Sequence, residues 1–422
     1  MSGVSFMEKL LDGVAVEWKS LDNVGEFLRG KRFVKADMMS EGVPCIHYGE
    51  MYTHFGIWAD KAKSFLDKAI ASKLRVASPG DVIIVAAGET IEDIGNGTAW
   101  LGENDVVFHD ACFSFKSKLD PKYVSYYLRT SLFKDQIKSS VSSGKISSIN
   151  AKGLGKAEIP IPCPENPKKS LEIQAEIVRI LDAFTAHAAE LTAELTARRK
   201  QYSYYRDKLL SFEEVVPVIP LSDCCESIAD GDHQAPPKTD EGIPFITISN
   251  VSDSNRIDFE NTRFVAKTYY DGLADKRKAR KGDILYTVVG SFGIPIFIED
   301  NTKFAFQRHI AILRPDKDVV ISKYLYHFFQ CANFLKQANT VAAGAAQKTI
   351  TLASLNRMKV SVPSLEEQAR IVAILDKFDT LTNSISEGLP REIELRQKQY
   401  EYYRDLLLSF PRPDAEKTAN HA

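Results

Sequence analysis

The chain of 422 residues has no Cys-x-x-Cys pair, no GxxxxGKS/T phosphate loop, no HExxH and no Asn/Asp-Pro-Pro-aromatic segment. Its six cysteines (Cys45, Cys112, Cys163, Cys224, Cys225, Cys331) are scattered apart from one adjacent pair, so they read as thiols rather than as a metal site. Gly144-Lys145-Ile146 and Gly155-Lys156-Ala157 lack the hydroxyl that a phosphate loop places on magnesium, and Gly95-Asn96-Gly97 lacks the third glycine of a dinucleotide loop. The eight histidines stand apart from one another. Catalytic residues, metal ligands and a cofactor are therefore all expected to be absent from this chain.

Two further scarcities matter. Nowhere does an apolar run approach the roughly 18 residues of a membrane-spanning helix, and the start lacks the basic and then apolar pattern of a signal peptide, so a cytoplasmic protein is expected. Net charge is only −2, which argues against a chain wrapped throughout in nucleic acid. Local excess exists all the same. Residues 262 to 282 carry seven basic side chains against two acidic ones, and Lys134, Lys138, Lys145, Lys152 and Lys156 face only Asp135.

What the chain has in abundance is itself. LEIQAEIVRILDAF at 171 to 184 returns as LEEQARIVAILDKF at 365 to 378, and RRKQYSYYRDKLLSF at 198 to 212 returns within LRQKQYEYYRDLLLSF at 395 to 410. Upstream, Pro79-Gly80-Asp81-Val82-Ile83 answers Lys281-Gly282-Asp283-Ile284-Leu285, PKYVSYYL at 121 answers SKYLYHFF at 322, and IPIP at 159 answers VSVP at 360. An internal duplication with pseudo-two-fold symmetry follows.

Each copy changes period partway. Ile177, Ile180, Phe184, Leu191, Leu195 and Tyr205 lie on one apolar stripe of a long helix, and Ile371, Ile374, Phe378 and Tyr403 lie on its counterpart. The two are expected to pair antiparallel. Gly388-Leu389-Pro390 predicts a kink or break in the second. The remaining segments mix short β-rich runs (Asp81 to Ala86, Gly282 to Val289, Phe304 to Leu313) with short helices, giving an α+β fold of two similar mixed α/β domains. Expected boundaries are 1–165 for the first domain, with 1–12 a short helix pairing with the repeat, then 166–212 for the central helix. The second domain follows at 213–363, the C-terminal helix at 364–410, and a disordered tail at 411–422.

Two look-alike domains on a stiff spacer suit a ligand touched at two separated places, and double-stranded DNA is the natural one. The paired EIQAEIVRILD and EEQARIVAILD segments, the two KQYxYYRDxLLSF segments, and IPIP and VSVP before the helices resemble the specificity subunits of type I restriction-modification enzymes, over nearly the whole chain. HAAELTAELTARRKQY, with its four-residue repeat, looks like the type IC branch. The resemblance implies two target recognition domains, each reading half of a bipartite DNA target, and helices that set the spacing. It also implies partners: two modification subunits using S-adenosylmethionine, and two restriction subunits using ATP and Mg2+.

Candidate DNA-contacting residues are Arg29, Lys31, Arg32, His47, Tyr48, His54, Lys145, Ser147 and Ser148 in the first domain. In the second they are Asp232, His233, Gln234, Lys276, Arg277, Lys278, Ser291, Gln307, Arg308, Gln347 and Lys348. Tyrosines on the helices are expected to serve packing or subunit contact rather than base stacking. A stand-alone bipartite DNA-binding scaffold or repressor is the alternative, and a self-contained DNA methyltransferase ranks third for want of a cofactor motif.

Overall fold

The computed structural model describes residue 11 and residues 13–212, 216–231, 236–252, 255–345, 347–384 and 386–412. The expected helix at 1–12 (apart from Leu11), the tail from 413 onward, and the candidates Asp232, His233 and Gln234 lie outside the described residues.

The chain divides into two compact units, Met1–Glu190 with Glu394–Ala422, and Leu191–Ile393. This division cuts through both long helical segments, so each unit owns a globular domain, half of the central helix and half of the C-terminal helical segment. The sequence-based boundaries instead set the helices apart as elements of their own.

In the first unit, valine- and isoleucine-rich runs build two five-stranded sheets. One has the order Gly25–Arg29, Cys112–Ser117, Val82–Val85, Gly97–Trp100, Trp58–Ala59. The other runs Met38–Met39, Ser64–Leu66, Val43–Ile46, Val106–Phe108, Val76–Ala77. All four residues of Val82–Val85 are buried, which explains why this strand is apolar throughout rather than alternating. The second unit repeats the plan with two four-stranded sheets: Cys225–Asp230, Ile310–Pro315, Ile284–Thr287, Pro295–Phe297, and Lys238–Thr239, Arg263–Val265, Ile243–Ile246, Ala305–Phe306. Two strands thus stand where Phe304 to Leu313 reads as one continuous β run, with Gln307-Arg308-His309 turning between them.

An antiparallel ribbon closes each domain by joining its first and last strands. Val16–Ser20 pairs with Glu158–Pro162 in one, and Val218–Pro220 pairs with Lys359–Ser361 in the other.

The central helix, Pro167–Leu209, has 43 residues and therefore extends about 64 Å. Proline opens it, where a missing N–H costs nothing, and the Asn166 side chain caps the Lys169 N–H at 3.1 Å. Ile173, Ile177 and Leu181 are buried at its start and Tyr202 near its end, whereas Leu191 and Leu195 between them are half-buried. The C-terminal segment is two helices, Leu365–Asn383 and Leu389–Leu407. The break falls at the expected glycine and proline. Gly388 has φ +84°, a side chain there would come within 2.5 Å of the Thr380 carbonyl, and Pro390 sits in the first turn of the helix that follows.

The helices pack the same way in both units. Phe184 stacks on Tyr403 at 5.2 Å in the first, and Phe378 stacks on Tyr205 at 5.7 Å in the second. Gln174 accepts from the Asp120 N–H at 2.9 Å where Gln368 accepts from the Ile321 N–H at 2.8 Å. Tyr123 donates to the Pro160 carbonyl at 2.8 Å where Tyr324 donates to that of Ser361 at 2.7 Å. The duplication therefore extends to these individual polar contacts.

Candidate nucleic-acid interface

The domains repeat a second frame. Strand Val43–Ile46 leads into helix Tyr48–Thr53 through His47, whose N–H donates to Glu50 at 2.9 Å while its Nδ1 accepts from Gly49 at 3.2 Å. In the second unit Thr247 follows strand Ile243–Ile246, and its N–H donates to the Asn250 side chain at 3.0 Å. Beside each runs a three-residue turn. The His109 N–H donates to the Ile46 carbonyl at 3.2 Å, the Cys112 N–H to that of His109 at 3.0 Å, and the Ala86 N–H to that of Ala111 at 2.8 Å. In the other domain Gln307 donates to Ile246 at 3.0 Å, Ile310 to Gln307 at 3.0 Å, and Val288 to His309 at 2.9 Å. His109-Asp110-Ala111 and Gln307-Arg308-His309 are the same turn with different side chains.

A glycine locks each turn against its neighbour. A Cβ on Gly30 would lie 2.1 Å from the His109 carbonyl oxygen, and one on Gly231 would lie 2.1 Å from that of Phe306. Neither distance is physically possible, so the sequence must supply glycine at both places.

Around the first turn the structure gathers several of the candidates. The His47 and His109 rings lie 4.7 Å apart, with Tyr48 at 4.5 Å from His47 and 5.0 Å from His109, and Phe33 edge-on to both. Burial pushes both imidazoles below the ordinary histidine range; the mutual charge and that of Arg32 add to this for His109, and Lys35 adds to it for His47. The neutral forms are thus favoured at neutral pH, leaving ring nitrogens able to donate or accept. Arg29 Nε donates to the Asp110 carbonyl at 2.9 Å, and Asp110 Oδ1 lies 3.0 Å from His109 Nδ1. Tyr52 reaches the Ala87 carbonyl at 3.0 Å, and strand Ala87–Gly88 pairs with Ser147–Ser148. Ser147 is buried and Ser148 half-buried, its hydroxyl 2.9 Å from that of Ser142.

Other candidates serve more local purposes. Lys31 donates to the Lys73 carbonyl at 2.8 Å; exposed His54 rests edge-on against Phe55; Arg32 and Lys145 are exposed. In the second unit exposed Ser291, Gln347 and Lys348 meet where the Gly290 N–H donates to the Lys348 carbonyl at 3.0 Å. Gln307 is half-buried and Arg308 exposed.

The basic run is partly neutralised within the fold. Arg277 approaches Asp230 at 3.5 Å, Lys278 donates to the Asp271 carbonyl at 2.9 Å, Arg280 pairs with Asp275, and Lys276 is exposed. Lys134, from the other basic stretch, turns inward onto the carbonyls of Glu92 and Ile94 and the Asn96 side chain at 2.7 to 3.0 Å.

His109 and Asp110 escaped the sequence reading, although a signal for them was present. Gln307 and Arg308 stand 198 residues further on, the offset that also relates Tyr204 to Tyr402.

Among the described residues no group of three or more His, Cys, Asp or Glu could hold a metal ion, and no helix is long and apolar enough to cross a membrane.

Residues 14–198 and 215–395 each match the family of type I restriction modification DNA specificity domains. The chain is 36% identical over 436 residues to the specificity subunit of the Escherichia coli type I restriction enzyme EcoR124I/EcoR124II, covering 98% of this chain and 99% of that one. It is 33% identical to a putative type I specificity subunit of Haemophilus influenzae, covering 96% and 98%. Among solved structures, a chain from a type I restriction-modification complex superposes with a TM-score of 0.62 at 17% identity, covering 93% of this chain and 97% of that one. A specificity subunit from M. genitalium gives 0.51 at 16%, covering 95% and 98%.

Proposed function

Because the chain belongs to the type I restriction-modification DNA specificity family, we propose that it is the subunit that chooses the DNA sequence for such a complex. Each globular domain reads one half of a bipartite, asymmetric target. The central and C-terminal helices set the spacing and dock two modification subunits, and two restriction subunits complete the assembly. Methylation of adenine N6 with S-adenosylmethionine, and cleavage driven by ATP with Mg2+, are done by those partners and not by this chain. Its place is the cytoplasm, where the DNA is.

The observation that carries this reading is a duplicated backbone frame bearing unlike side chains at matching turns, His109-Asp110-Ala111 and Gln307-Arg308-His309, with Asp110 half-buried and Arg308 exposed at their centres. Identical frames position two domains alike on a duplex, while unlike side chains read unlike base edges. An asymmetric two-part target follows directly. A stand-alone scaffold or repressor would need the same DNA binding but no partner.

The test is to express the chain with its cognate modification subunits in a methylation-free host, purify the assembly and map modified adenines across the genome. Co-purification and methylation of one two-part motif are expected. DNA binding by a chain that retains no modification subunit would instead favour the stand-alone scaffold.

A further inference from the structure

Side chains that decide specificity should be exposed, held by a rigid frame, and free to differ between the two domains. The centres of the three-residue turns meet these conditions: Arg308 is exposed and the Asp110 side chain is 39% exposed, although His109 beside it is buried. Their backbone hydrogen bonds agree between domains to within 0.2 Å or better, at 3.2 and 3.0 Å to Ile46 and Ile246, 3.0 and 3.0 Å across the turn, and 2.8 and 2.9 Å from Ala86 and Val288. A glycine excluded from carrying a side chain backs each one. Only the residue types change, from His-Asp-Ala to Gln-Arg-His.

We infer that Asp110 and Arg308, at the centres of these two turns, are specificity-determining residues, each reading a base edge in its own half of the target. The inference rests on the proposed function and adds named residues and bases to it. Arg308 is exposed, and a guanidinium matches the two acceptors on the major-groove edge of guanine. Asp110 accepts only, which suits the exocyclic amine of cytosine, and Arg29 braces the backbone beneath it by donating to the Asp110 carbonyl at 2.9 Å. The half-site read by the second domain should therefore contain a guanine that depends on Arg308, and the half-site read by the first a cytosine that depends on Asp110.

The experiment maps adenine methylation directed by the full complex carrying wild-type chain, Arg308→Ala, or Asp110→Ala. Both substitutions are at surface turns, and continued methylation reports that the assembly still forms. Arg308→Ala should relax one guanine in one half-site, cutting discrimination there roughly 5- to 150-fold, with the other half-site unchanged. Asp110→Ala should relax one cytosine in the opposite half-site by a similar factor. Should either variant lose methylation altogether, binding of the purified complex to the wild-type motif and to single-base variants supplies the same comparison. Unchanged motifs from an active wild type would overturn the turn assignment alone. So would a uniform weakening over all sequences with a shallower salt dependence, which marks a phosphate contact. A wild-type complex that methylates no two-part motif would overturn the functional reading, and this inference with it.

Discussion

His327 presents Nε2 to the Asp376 carboxylate at 2.7 Å, in the place where the Tyr126 hydroxyl meets Asp182 at 2.8 Å in the other domain. The histidine ring is fully buried, and its Nδ1 lies 3.0 Å from the Tyr202 hydroxyl. One position of the repeat thus fastens a domain to its helices with different chemistry in each copy. His327→Phe keeps the ring but leaves Tyr202 and Asp376 without this partner. Asp376 is 37% exposed, so water repairs part of the loss, and a cost of about 1–3 kcal/mol is expected. His327→Gln, which can still donate, should recover some of it. Thermal unfolding of the three proteins checks this; equal midpoints would show that the contact contributes nothing.

Lys134 gives a pH dependence of definite sign. Burial, with the charges of Arg129 and Arg404 against those of Asp93 and Glu92, pulls its pKa down to about 7 from 10.5. Between those two values the unfolded chain holds a proton on this group that the folded chain has lost, so the Lys134 contribution to stability rises with pH across that window. Burial raises the thiols of Cys45, Cys112, Cys224, Cys225 and Cys331 and the tyrosines Tyr123 and Tyr127, which reverses the trend as unfolded thiols begin to ionise toward pH 9, so pH 7 to 8 is the useful range. Denaturant unfolding should show a gain approaching at most about 1.4 kcal/mol per pH unit in the wild type, and a flatter profile in Lys134→Met. A profile unaltered by the substitution would locate the effect elsewhere.

Much of this was legible in the sequence because repetition and helical period are local properties. The apolar stripe through Ile177, Phe184, Tyr202 and Tyr205 needed only spacing, and the break before Leu389 needed only Gly388 and Pro390. The turns at 109–111 and 307–309 needed more. Phe304 to Leu313 has strand-like composition throughout, and what bends it is a hydrogen bond from Gln307 to Ile246, 61 residues away. Likewise the alignment places Tyr126 opposite His327, but nothing local says that each will meet an aspartate on a helix. Charge counting along the chain includes Asp275, which pairs with Arg280, but not Asp230, which comes beside Arg277 only after folding.

Tyr204 and Tyr402 occupy matching positions of the repeat and are 61% and 62% exposed, whereas their neighbours Tyr202 and Tyr400 are buried. Large exposed aromatics on otherwise charged helices fit contacts to a partner subunit better than they fit the fold. Tyr204→Ala and Tyr402→Ala should each leave the unfolding midpoint within about 0.5 kcal/mol of wild type. Each should nevertheless reduce the modification subunit retained on purification, and the double variant should retain least. Full retention by the double variant would move the docking surface away from these rings.

The stretch from Ala188 to Leu195 reads as two four-residue units, and in the folded helix Leu191 and Leu195 are half-buried while most of their neighbours are exposed. Four more residues lengthen a helix by about 6 Å and advance it about 40° past a full turn, so the apolar stripe stays nearly in line. Inserting Thr-Ala-Glu-Leu after Leu195 should therefore be tolerated without disturbing Phe184 against Tyr403 or Tyr205 against Phe378, each pair lying within its own compact unit. Because B-DNA rises 3.4 Å per base pair, the added length corresponds to about one to two base pairs. Methylation mapping of the insertion variant should return both half-sites unaltered with a longer nonspecific spacer between them. Altered half-sites, or the original spacer, would show that the helix does not act as the ruler.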